Sequence, residues 1–209
     1  MRLRNRILSV LNANNDFFSL FARQFDESKK SSEHAFSLAI GSILYAINVQ
    51  CILNERTEEI CRIAKECSLI NFATEDILCN EAIIVKGKGA NSEIFGDRFN
   101  NIVDITSHRA GLKSRSANKL FVLLTPLILS HIYFIYKANN YTHDQLASFL
   151  ARQNRYHALN NNAKYELNLM IKDETTKHVV EQQQPRKTGI FYRLMNTGWW
   201  HRFMLNVKP

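Results

Sequence analysis

Residues 119–137, KLFVLLTPLILSHIYFIYK, constrain the fold of this chain more than any other stretch. Two lysines bracket seventeen residues, of which only Thr125, Pro126, Ser130 and His131 are neither aliphatic nor aromatic. Such a run has two physical homes: the hydrocarbon of a bilayer, or the centre of a helical bundle. As a helix the bracketed residues rise roughly 25 Å, short of the ~30 Å hydrocarbon core. Pro126 and His131 lie within it, and a proline kink is tolerable where neighbouring helices cover the carbonyl it frees.

An internal echo bears on the choice. SSEHAFSLAIGSILYAI begins at Ser31 and SANKLFVLLTPLILSHI at Ser116. Aligned without gaps, they match Ser31 with Ser116, Phe36 with Phe121, Leu38 with Leu123, Ile43 with Ile128, Leu44 with Leu129 and Ile47 with Ile132. Gly41 falls opposite Pro126. Upstream, Phe17, Phe18 and Leu20 fall opposite Ile102, Val103 and Ile105; downstream, TEEICRIA parallels THDQLASFL within one residue. The chain therefore reads as two copies, near residues 10–66 and 95–153, of a helix, a long apolar helix and a short helix. Repeats of this kind bury each other's apolar faces. Equivalent helices should occupy equivalent places, and the first copy, 31–47, is interrupted by serines and reads as too polar to span. The expectation is a buried core helix.

The bulk numbers agree. A chain of 209 residues with 45% hydrophobic content can enclose a real core, and 7 Gly with 3 Pro argue against low complexity and a many-turned all-β fold. Mean hydropathy is −0.24. The fold class expected is all-α: a bundle of two similar helical units over residues 1–155, then an extension and a partly ordered basic, aromatic tail over 156–209.

The pattern predicts helix over 1–25 with a break near NANND, a polar break at DESKKSSE with Ser31 or Ser32 as N-cap, and helix over 34–53. ERTEEICRIAKEC gives a helix with Ile60, Ile63 and Ala64 inward; NFATEDILCNEAIIV gives a short helix or two; KGKGANSE, 86–93, reads as a flexible basic linker. Helices follow over 94–108, 115–137 and 143–153, with Gly111 as a C-cap and Thr142 as an N-cap. The N-terminus starts basic, but ILSVL is shorter than a signal h-region and no small-residue cleavage site follows, so no cleaved signal is expected and Arg2, Arg4 and Arg6 read as a solvated first turn.

FGDRFNNIVDITSHRAGLKSRSANKLFVLLTPLILSHIYFIYKANNYTHDQLASFLARQ resembles the YidB-like family of bacterial proteins, also called the DUF937 family. The matching elements are a short helix before RAGLKSRSA, a long helix with LLTPLILS, and a closing helix HDQLASFLARQ; SSEHAFSLAIGSILYAI and RTEEICRIAK take the corresponding places in the first half, so that residues 5–155 are covered. The resemblance implies an all-helical bacterial protein of a family without established enzyme activity, some of whose members continue into a membrane helix and an envelope-anchoring domain. The chain departs from the family's Gly-rich middle, carries larger aromatics in its helices and ends in a tail of its own.

That tail is the main functional candidate. Residues 186–209 hold Arg186, Lys187, Arg193, Arg202 and Lys208 and no acid, interleaved with Phe191, Tyr192, Trp199, Trp200 and Phe203. This composition suits a partner's pocket filled by Trp anchors, an anionic membrane surface, single-stranded nucleic acid, or folding back on the chain's own core. The docking residues expected are Phe191, Tyr192, Arg193, Trp199, Trp200, Arg202 and Phe203. No HExxH motif or close His pair occurs, and Cys51, Cys61, Cys67 and Cys79 fit no zinc spacing, so no metal and no cofactor are expected. The four cysteines read as small core residues in a reducing compartment. His131 reads as a hydrogen-bonded core histidine. Ser107–His108 and Thr142–His143–Asp144 are chain neighbours that do not face each other on a helix, and KGKG lacks the rest of a phosphate-binding loop. No catalytic residue and no small-molecule substrate are expected.

The functional expectation is a non-catalytic interaction or scaffold protein of a bacterial envelope-associated or secretion-type assembly. It would be cytoplasmic, in places peripheral to the inner membrane, with other protein subunits as partners. The alternative is a nucleic-acid-binding protein using the net charge of +8. Against it, the basic residues are scattered and no recognition helix stands out. An exported effector is a third reading.

Overall fold

The computed structural model describes residues 3–13, 17–70, 72, 77–154 and 161–168, and these form an all-α bundle. The helices are α1 (Leu3–Ala13), α2 (Phe17–Phe25), α3 (Lys29–Asn48), α4 (Thr57–Cys67), α5 (Glu81–Phe95), α6 (Phe99–Ala110), α7 (Ser114–Ala138), α8 (His143–Asn154) and α9 (Asn161–Asn168). A π-helical turn, Val49–Leu53, extends α3, and a 3₁₀ turn, Gly96–Arg98, joins α5 to α6.

α7 is the hub, packing on α1, α3, α4, α5 and α6. Every residue from Leu120 to Leu129 is buried. The helix is longer than its apolar stretch: at 1.5 Å per residue its 25 residues rise about 37 Å. Length therefore does not separate core helix from span, contrary to the expectation. Lys29–Leu53 and Ser114–Ala138 are both long and apolar enough to cross a membrane, which also corrects the reading of the first copy as too polar. In this fold 67% of the most apolar window of each is buried among the other helices.

The α5–α7 contact explains how Pro126 is accommodated. Proline has no N–H, so the Val122 carbonyl one turn back loses its helical donor, and the ring crowds it. α5 crosses at this point. A Cβ on Gly87 would overlap the Val122 carbonyl oxygen and lie 2.8 Å from its carbon. Only a glycine lets the α5 backbone come this close. One turn on, Thr125 Oγ1 donates to Asn91 Oδ1 at 2.6 Å, both residues being buried. Ile83, Gly87, Ala90, Asn91 and Ile94 are buried along α5, at the three- and four-residue steps of a helix face. KGKGANSE is thus the middle of a helix and not a linker. Two interior glycines cost roughly 1 kcal/mol each in helix propensity, and this packing offsets it.

The two-copy reading is visible in the backbone. Asp26 (φ 53) and Gly111 (φ 67) both end a helix in the left-handed region, 85 positions apart; so do Glu55 (φ 54) and Asn140 (φ 49). Glu27 N–H donates to Ala22 O at 2.9 Å, and Leu112 N–H to Ser107 O at 3.0 Å, at the same offset. The copies pack crosswise: α4 lies on α7 and α8 on α3, while α3 meets α7 and α4 meets α8. Such reciprocity is what a two-fold relation produces. α1 with α7 and α5 with α3 also pair, whereas the packing of α5 on α7 and of α6 on α3 has no comparable counterpart in the other half. Phe36 and Phe121 hold matching central places. Phe36 meets Phe17 and Phe18, and Phe121 meets Phe95 and Phe99, in tilted or edge-to-face contacts at centroid distances of 5.0–6.2 Å.

Several boundaries differ from the expectation. Ser28, not Ser31 or Ser32, caps α3, its Oγ accepting from Ser31 N–H at 2.9 Å, so the helix starts earlier and the polar break shrinks. The helix expected over 94–108 breaks at Gly96 and restarts at Phe99. Gly111 does cap α6, and Thr142 with Gln145 forms a reciprocal capping box ahead of α8. The folded unit continues past residue 155. Ala163 and Leu167 of α9 are buried, Tyr45 Oη donates to Asn168 Oδ1 at 2.6 Å, and α9 packs on α6 and α3.

Gly87 and Gly89 should respond oppositely to alanine. Gly89 has nothing within 4 Å of a Cβ, so Gly89→Ala should stabilise by about 0.5–1 kcal/mol. Gly87→Ala forces α5 off α7 and should destabilise by at least about 2 kcal/mol. Urea denaturation of the two variants checks both signs.

Candidate functional site

One recess lies where the start of α7, the middle of α5 and the end of α2 converge, a cavity of about 660 Å³. It follows from helix periodicity. Arg115, Asn118, Lys119 and Val122 form one stripe of α7 at i, i+3, i+4 and i+7, and Ile84 and Lys88 form a stripe of α5. Lys88, Arg115 and Lys119 line this recess, and among the described residues no carboxylate does. Phe25, Leu78, Ile84 and Val122 supply its apolar wall. Gln24 Nε2 donates to Cys79 Sγ at 3.2 Å across its edge.

Three described carboxylates, Asp26, Glu27 and Asp104, gather at the start of α7. Asp104 Oδ1 accepts from Ser114 Oγ at 2.8 Å, and Asp26 Oδ2 accepts from Lys113 Nζ at 2.9 Å. That last hydrogen bond holds the Asp26 carboxyl below its ordinary value and the Lys113 ammonium above it. Glu27 Oε1 accepts from the Lys113 backbone N–H. The first turn of α7 contains no acid, and its N-cap, Lys113, makes no side-chain cap bond. The positive end of the helix dipole therefore meets no negative side chain of its own turn.

Beyond the C-terminal end of α7 lies a second recess of about 640 Å³, of opposite character. Glu55, Glu58 and Asp144 line it, with His143 and the half-exposed Ile52. His143 stacks on Tyr136 at 5.9 Å. Among the described residues, no group of three or more His, Cys, Asp or Glu is placed to hold a metal ion.

The docking residues expected from sequence, Phe191, Tyr192, Arg193, Trp199, Trp200, Arg202 and Phe203, lie outside the described residues. His131 is half-buried with Nδ1 2.9 Å from Leu127 O, as expected of a core histidine. Ser107 is spent on a helix end, its Oγ donating to Leu112 O at 2.8 Å. Arg6 is half-buried, with its guanidinium 5.7 Å from the Phe134 ring. Cys51, Cys61 and Cys67 are buried; Cys79 is exposed, which corrects its assignment to the core. Burial pushes the Cys51 and Cys67 thiols up to about 12 and Cys61 to about 11. The basic recess was missed in the sequence because it needs Lys88 beside Arg115, and reading KGKG as a linker left Lys88 without a position.

Comparison with protein-family models, with curated proteins and with solved structures finds no match to this chain.

The thiol geometry gives a direct expectation. At pH 8 Cys79 should react with a disulfide reagent within minutes, while Cys51, Cys61 and Cys67 react only on unfolding, since burial suppresses their thiolates. A time course of thiol titration, native against denatured, reads this out.

Proposed function

We propose that the chain is a non-catalytic interaction protein that joins a bacterial envelope-associated or secretion-type assembly through its C-terminal segment. The observation that carries this reading is the composition of residues 186–209. Trp199, Trp200, Phe203, Phe191 and Tyr192 are interleaved with Arg193 and Arg202, and no acid is present. Large aromatics and arginine are the residue types that most often anchor interfaces. The helical bundle is occupied with its own core, so an appended segment is a natural place for docking. The resemblance of residues 5–155 to the YidB-like family supports the bacterial, non-enzymatic side of the reading. Its place is the cytoplasmic face, peripheral to the inner membrane, with other protein subunits as partners.

The test is affinity purification at moderate salt from cells expressing the full chain or residues 1–185. Stable protein partners lost on truncation are the expected result. Unchanged partners and unchanged membrane association in the truncated chain would remove the C-terminal segment from the reading. The net charge of +8 favours one rival, nucleic-acid binding. It is distinguished by nucleic acid in the eluate, released steeply as salt is raised.

A further inference from the structure

We draw no further inference here: the strongest candidate, the acidic recess beyond the C-terminal end of α7 lined by Glu55, Glu58, His143 and Asp144, is a cluster of carboxylates for which nothing in the structure shows what binds there.

Discussion

A single buried carbonyl organises much of this fold. Pro126 deprives the Val122 oxygen of its helical donor in the middle of the longest helix, at a residue only 2% exposed. The α5 backbone packs directly on this carbonyl at Gly87, where a Cβ would overlap it. With that crossing set, Asn91 meets Thr125, Phe95 meets Phe121, and Lys88 stands one residue from the point of closest approach. The core and the basic recess thus share one anchor.

Around it the chain builds two similar helical copies. Neither copy encloses its own long helix. α4 covers α7 and α8 covers α3, so each depends on the other for burial. The copies differ where local chemistry differs. The first leaves its long helix through a π-helical turn, tied by Gln50, whose Nε2 donates to Ile94 O at 2.8 Å while its Oε1 accepts from Arg56. The second carries the proline and the glycine that answers it. α5 and α7, both of this second half, supply Lys88, Arg115 and Lys119 to one recess.

Charge is segregated along the hub helix. The recess at the start of α7 gathers Lys88, Arg115 and Lys119; the one beyond its end gathers Glu55, Glu58 and Asp144. The basic C-terminal segment adds cationic charge of its own.

Periodicity determined a good deal without any coordinates: the all-α class, the inward face of α4, and the caps at Gly111 and Thr142. These follow from local physics, namely helix period, capping hydrogen bonds and the φ preferences of single residues. The tertiary structure decided what depends on neighbours distant in sequence. Sequence does not single out Ser28 as the cap, because Ser31 and Ser32 suit the pattern equally well. Cys79 reads as core because its sequence neighbours are apolar, yet in the fold it is exposed. KGKGANSE reads as a linker to any local rule, because glycine disfavours helix by roughly 1 kcal/mol per residue. In the fold it is a helix, and Gly87 packs so closely on the Val122 carbonyl, 35 residues further on, that a side chain would not fit there. Local propensity is legible in a sequence; which distant group will outweigh it is settled only when the helices pack.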